Sequence, residues 1–228
     1  MKNKKYSSSP RAFKDAIFGH LARVGKAVSN PVRVELLELL SQAPRTVEAL
    51  AKASNQSVAN TSQHLRVLKN ARFVEAEKRG LFVTYRLADE VVADFCVSLR
   101  SLAERRILEI EALTEAFLSE RDALEAVDQD DLALRVARSE VTVLDVRPAE
   151  EYREAHIAGA ISVPLEELEQ RFKKLPKRKQ IVAYCRGPYC VFAIEAVERL
   201  RRSGYDAVRL ELGVQDWRAR GFAIEGAS

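Results

Sequence analysis

Four short apolar runs, Val141–Leu144, Ile161–Val163, Ile181–Tyr184 and Val208–Leu210, alternate with helical stretches through the C-terminal part of the chain. No other feature restricts the fold as tightly. A strand that leads through a helix into another strand re-enters the sheet in the same direction, so the pattern predicts a mostly parallel sheet flanked by helices. Between the last two runs, Val191–Arg202 reads as a helix with Gly204 as its C-terminal cap. The acidic stretch Asp128–Asp131 precedes the first run, and the residues before it are patterned differently. A chain of 228 residues has room for two small domains, each with its own core. The expected fold is multidomain, with a mainly-α domain over residues 1–125 and an α/β domain over 126–228.

In the first domain, residues 1–10 read as a disordered tail, and helical spacing then runs from Phe13 to Leu40. Asn30-Pro31 resets it, because Asn is a favoured N-cap and Pro is tolerated at the first helical position. Thr46 caps a short helix over Val47–Ala53, residues 54–56 form a turn, and Ser57 caps a further helix to about Asn70. The alternating runs Phe73–Lys78 and Leu81–Leu87, joined by Arg79-Gly80, predict a β-hairpin. From Glu90 to about Glu120 there is neither Pro nor Gly, and Val92, Phe95, Leu99 and Leu102 recur at helical spacing. One helix of that length would be roughly 45 Å long, so it is read as a dimer-forming or connecting helix; packing within the monomer is the alternative.

Charge separates the two parts. Residues 1–90 hold 16 Lys/Arg and 8 Asp/Glu, and the remainder holds 21 and 25. A basic first part on a mildly acidic remainder points to a polyanion partner for the first part alone. No apolar run approaches the ~20 residues of a membrane span, and the basic N-terminus lacks the apolar stretch of a secretory signal, so a cytoplasmic protein without membrane partners is expected. The three cysteines, Cys96, Cys185 and Cys190, form no disulfide framework, and with three histidines no metal site or cofactor is expected. Cys96 reads as a small buried hydrophobe.

Helix, short turn, helix and hairpin in that order make a winged helix-turn-helix pattern. On the second helix Val58, Leu65 and Leu68 are expected in the core. Asn60, Thr61, Gln63, His64 and Arg66 are expected to face outward, flanked by Ser57 and Ser62. Asn, Gln and Arg can make paired contacts to base edges, while hydroxyls satisfy phosphates. Lys78, Arg79 and Arg86 on the hairpin are placed to meet flanking phosphates or a minor groove. Three motifs, N-P-V-R-V-E-L-L-E-L-L, T-V-E-A-L-A and S-Q-H-L-R-V-L-K, give residues 18–90 a clear resemblance to the ArsR-type family of winged-helix repressors. The resemblance implies a homodimer whose two recognition helices enter successive major grooves of double-stranded operator DNA. It also implies metal-ligand positions that this chain leaves unfilled: Ser41–Arg45 holds no thiol pair, and Cys96 has no second cysteine in this domain.

In the second domain, the apolar run to Tyr184 leads straight into Cys185-Arg186-Gly187-Pro188-Tyr189-Cys190, after which a helix opens. A thiol between a strand end and a helix N-terminus sits in positive potential, which favours the nucleophilic thiolate. Gly187 is expected to take unusual backbone angles, and Arg186 to steer an anionic donor. The segments Leu144–Arg147, Glu151-Tyr152, His156–Pro164, Tyr184–Gly187 and Gly213–Trp217 resemble the single-domain rhodanese family. That resemblance makes Cys185 the nucleophile that carries sulfane sulfur as a persulfide on a six-residue loop, Cys185 to Cys190. It leaves Asp145, Arg147 and His156 as structural residues. Cys190 is either a thiol that resolves the persulfide or a small residue at a helix start.

The joint expectation is a DNA-binding regulator, a repressor, whose rhodanese-like domain senses or transfers sulfur from thiosulfate, polysulfide or a protein persulfide. A sulfurtransferase enzyme that binds DNA only for localisation is the first alternative. A repressor responsive to arsenite or another thiophilic ion is the second.

Overall fold

Asn30, Thr46 and Ser57 each accept a backbone hydrogen bond from the residue three positions on, at 3.2–3.3 Å, and so start three helices where the sequence expects them. A computed structural model describes residues 9–80, 82–119, 127 and 129–226. Within it the chain folds as two units, 1–92 and 93–228. Most of the N-terminal tail predicted to be disordered lies outside the described residues, and helical structure begins at Pro10.

The first unit contains α1 (Pro10–Val28), α2 (Pro31–Gln42), β1 (Arg45–Thr46), α3 (Val47–Ala53), α4 (Val58–Asn70), β2 (Val74–Arg79) and β3 (Phe82–Leu87). The sheet is antiparallel in the order β1-β3-β2, with Lys78 opposite Val83 and Arg79 opposite Phe82. Gly80 makes the hairpin turn at φ +61°, a conformation costly for a residue with a Cβ. Leu36, Leu37 and Leu40 of α2 meet Leu50, Leu65 and Leu68 of α3 and α4 in the buried core. Between α3 and α4, Asn55 turns the chain at φ 51°, while the amides of Ser54 and Gln56 bond back to Leu50 and Ala51.

The helix expected over 90–120 is broken. α5 (Glu90–Arg106) and α6 (Leu108–Ser119) are separated by the single non-helical residue Ile107. The charges explain the position of the break. Arg105 and Arg106 occupy the last turn of α5, and Glu109 and Glu111 the first turn of α6, each sign on the terminus its helix dipole favours.

The rest of the second unit contains α7 (Gln129–Ala137), β4 (Val141–Asp145), α8 (Ala149–Glu154), β5 (Ala155–Ile157), β6 (Ile161–Ser162), α9 (Leu168–Arg171), β7 (Gln180–Tyr184), α10 (Val191–Arg202), β8 (Ala207–Arg209), α11 (Val214–Ala219) and β9 (Ile224–Gly226). The four expected runs form one parallel sheet in the order β6-β4-β7-β8. Side chains alternate across β7, as a pleated strand demands. Ile181 and Ala183 join the core beneath α10, whereas Val182 and Tyr184 join the opposite core with Leu132 and Trp217. By the same alternation Cys185, next in line, enters the α10 side. Gly204 follows α10 at φ +81°, as its position after the helix predicts.

Candidate functional site

Helix α4 has one exposed face. Ala59, Gln63, Arg66, Val67 and Asn70 share it at helical spacing, while Thr61, Leu65 and Leu68 are buried beneath. Two of the expected orientations are corrected. Thr61, expected to face outward, is fully buried, and its hydroxyl donates to the Ser57 carbonyl at 3.0 Å. Val58, expected in the core, is 47% exposed. The N-cap at Ser57 sets the phase of the helix: Thr61 lies one turn after it on the inner side, and Val58 falls on the open first turn. Asn60, Ser62 and His64 flank the exposed face and are half-buried. Asn60 Nδ2 donates to Gln56 Oε1 at 2.7 Å, which brings Gln56 to the edge of this surface. The sequence offered no signal for Gln56 because it falls in a turn. On the hairpin Lys78 is exposed, and Arg86 is paired with Glu75 on the neighbouring strand. The side chain of Arg79 lies outside the described residues.

The second constellation is built around the end of β7. Cys185 and Cys190 are joined in a disulfide with their Cα atoms 6.2 Å apart, inside the ~7 Å reach of such a bond. Cys190 is the N-cap residue of the twelve-residue α10, so both sulfurs lie at the positive end of a helix dipole. Cys185 is buried, 2% exposed, against Val146, Ala193 and Ile194, whereas Cys190 is half-buried. The nucleophile expected from the sequence is therefore enclosed, and its bonded partner is the more accessible sulfur.

The remaining loop residues depart from expectation in instructive ways. Arg186 does not offer an unpaired charge: its Nη2 lies 2.7 Å from Glu151 Oε1, and Nε donates to the same carboxylate at 3.1 Å. Glu151 is fully buried, and Arg186 also stacks over Phe192, 5.2 Å from the ring centroid. Gly187 does not have positive φ. A Cβ there would lie 3.3 Å from Arg100 Nη1, a tight contact that a small shift of the guanidinium relieves. The stricter demand falls on Gly213, where a Cβ would overlap the Arg186 carbonyl. Pro188 is half-buried and Tyr189 is 47% exposed, with its hydroxyl donating to Glu104 Oε1 at 2.8 Å.

Below the loop, Asp145 is held by Arg147 at 2.5–3.1 Å and accepts the Tyr184 hydroxyl at 2.6 Å. The Tyr184 oxygen in turn accepts the amide of Ile157 at 3.1 Å. Burial first, and then the Asp145 charge, hold the Tyr184 phenol well above its ordinary value of 10.0. Arg147 also donates to the Ala155 carbonyl at 2.7 Å, so this network braces the strand end that carries Cys185. His156 stacks on Tyr152 with centroids 3.7 Å apart, and its Nδ1 lies 2.8 Å from the Tyr152 carbonyl oxygen. Among the described residues no group of three or more metal-ligating side chains converges.

Fold and site together define a winged helix-turn-helix protein joined to an α/β domain that presents a cysteine loop. The comparisons place it further. The model "Bacterial regulatory protein, arsR family" matches residues 30–76, and "Rhodanese-like domain" matches 128–220. HTH-type transcriptional regulator Rv0324 of Mycobacterium tuberculosis is 39% identical over 215 residues, covering 94% of each chain. A sulfurtransferase of Allochromatium vinosum is 29% identical over 100 residues, 43% of this chain and 92% of that protein. A solved winged helix-turn-helix fragment, Mb0332 from Mycobacterium bovis, is 37% identical, covers 44% of this chain and 92% of its own, and superposes with a TM-score of 0.41. The chain belongs to the ArsR family of transcriptional regulators and carries a rhodanese-like domain.

Proposed function

We propose that this regulator is a homodimeric, cytoplasmic repressor that reads operator DNA with α4 and senses sulfane sulfur through Cys185. Residues 1–125 supply DNA binding and dimerisation, and 126–228 supply the sulfur chemistry. The reading rests chiefly on the bonding of Cys185 to Cys190 at the N-terminus of α10. In the thiol state, the Cys185 thiolate attacks the outer sulfur of a donor R–S–SH. The donor S–S bond breaks, R–S⁻ leaves, and Cys185 carries the sulfur as a persulfide. The Cys190 thiolate then attacks Cys185 Sγ, HS⁻ departs, and the disulfide forms. Two thiols are oxidised and the sulfane sulfur is reduced, so no further oxidant is required. Thiol exchange of this kind needs access, and the half-buried Cys190 and exposed Tyr189 leave the loop open on that side.

Dimerisation is supported by α1, on which Phe13, Ile17, Phe18, Leu21 and Val24 form an apolar stripe 38–65% exposed. Such a stripe suits a partner helix. The described residues include no helix long and apolar enough to cross a membrane. Similarity to a sulfurtransferase supports a second reading, in which the domain turns over thiosulfate or protein persulfide as an enzyme. A DNA-binding titration with polysulfide, comparing wild type with Cys185→Ser and Cys190→Ser, tests the first reading. Sensing requires an affinity change in wild type that Cys185→Ser loses; its retention in Cys190→Ser assigns the signal to the persulfide, and its loss assigns it to the disulfide. Steady sulfur turnover with unchanged DNA affinity favours the enzyme.

A further inference from the structure

The six-residue loop is gripped from outside the sheet by α5. Arg100 forms an ion pair with Asp216 of α11, and its Nη1 is the atom that a side chain at Gly187 would meet. Glu104, one turn on, accepts the Tyr189 hydroxyl at 2.8 Å, and Arg100 Nε lies 3.5 Å from that same carboxylate. Asp94, near the start of the helix, lies 3.5 Å from Arg218. Arg100 and Glu104 toward the loop, and Asp94 and Arg100 toward α11, therefore form a polar face on this side of α5. The apolar stripe Phe95, Leu99 and Leu102 points roughly half a turn away, given 3.6 residues per turn. Leu102 of that stripe is 58% exposed.

Asp216 links the grip to the sulfurs. Its Oδ2 accepts the amide of Gly213 at 3.2 Å, and Gly213 is packed against the Arg186 carbonyl. Arg100, Asp216, Gly213 and Arg186 thus form a continuous chain of contacts to the residue beside Cys185. Tyr189 completes a second route from Glu104 to the residue beside Cys190.

We propose that the polar face of α5 is a latch on the Cys185–Cys190 loop, closed in the disulfide state and released when Cys185 carries a persulfide. A persulfide places one more sulfur about 2 Å beyond Sγ. Cys185 is 2% exposed, beneath a loop that Gly187 and Gly213 hold in close contact with its neighbours. Room for the extra atom is made by lifting residues 186–189, and that motion separates Tyr189 from Glu104 and Gly187 from Arg100. Coupling of this kind requires an element with two discrete arrangements that the site can bias. Here the two arrangements are the loop held and the loop lifted, and α5, which runs from Glu90 to Arg106, is the element that holds or frees it. The latch deepens the sulfur-sensing reading and depends on it only for the consequence at DNA.

Hydrogen exchange of the full chain, compared between disulfide and persulfide states, tests the latch. Residues 94–106 are expected to exchange at least about tenfold faster in the persulfide state. The double variant Arg100→Gln/Glu104→Gln is expected to show the fast rate already as the disulfide. Cys190→Ser, which leaves α5 untouched and cannot close the bond, is expected to match the persulfide state when loaded. Equal protection of α5 in both states overturns the latch whatever DNA does. The second arm measures affinity for a duplex selected from a random pool by the thiol form. Polysulfide is expected to shift wild-type affinity by about tenfold, a typical allosteric coupling. The double variant should shift less than twofold while loading sulfur on Cys185 normally by mass spectrometry. A double variant that responds like wild type overturns the latch and leaves sensing intact. A wild-type affinity that never moves, with α5 still released, supports the latch and removes the sensing role.

Discussion

Arg186 and Glu151 form a buried two-pronged ion pair, with Nη2 2.7 Å from Oε1 and Nε 3.1 Å from both carboxylate oxygens. The pair joins the residue after Cys185 to α8 and ties the start of the loop to that helix.

Glu151→Ala removes one partner and leaves a largely buried guanidinium without it. Loss of one member of such a pair costs about 3–5 kcal/mol. Urea unfolding followed by the fluorescence of Trp217, the single tryptophan of the chain, is expected to show a midpoint lowered accordingly. An unchanged midpoint would mean that the pair contributes orientation without stability.

Gly213→Ala is expected to disable the sulfur loop without unfolding the domain. The new methyl overlaps the Arg186 carbonyl, so residues 185–187 must shift. Misplacement of a reacting group by about 1 Å can cost 100-fold in rate, and persulfide loading of Cys185 by mass spectrometry should fall by roughly 10- to 100-fold. Gly19→Ala is the control, because a Cβ there meets nothing within 4 Å.

Tyr184 makes the stability of the second unit sensitive to alkali. Its phenol is held protonated in the folded state by burial and by Asp145, while in the unfolded chain it ionises near 10.0. The folded pKa is the higher one, so this contribution is complete below pH 10 and is lost as pH rises above it. Denaturation midpoints at pH 9 and pH 11 should differ more in wild type than in Tyr184→Phe. Equal slopes would remove Tyr184 from the account.

On the exposed face of α4 that the proposed function gives to DNA, Gln63→Ala is expected to weaken specific binding by about 1–3 kcal/mol and to relax base preference at one position. Lys78→Ala should weaken binding to all sequences alike and lower the salt slope by about one. Arg86→Ala should do less, since Glu75 already engages that charge. Fluorescence anisotropy at several salt concentrations separates the three outcomes, and an Arg86 effect equal to that of Lys78 would contradict the pairing.

Much of this was legible in the chain itself. Caps at Asn30, Thr46 and Ser57, the hairpin at Gly80, the four strand runs and the extent of α10 all follow from local chemistry. Capping, turn geometry and two-residue alternation act between near neighbours, and near neighbours are what a sequence displays. Even the side of the sheet that Cys185 enters is implied by alternation from Ile181. The break at Ile107 was present in the charges of Arg105, Arg106, Glu109 and Glu111, but the absence of Pro and Gly hid it.

Tertiary structure alone decided which distant residues meet. Glu151 neutralises Arg186 across 35 positions, Arg100 reaches Asp216 across 116, and Gly213 backs the Arg186 carbonyl. The bond between Cys185 and Cys190 also waited on the fold, because it needs a strand end and a helix start brought to a fixed separation. Burial and long-range pairing depend on how layers stack. No local pattern records that, and it is why the sequence displayed the sulfur loop but not the residues that hold it.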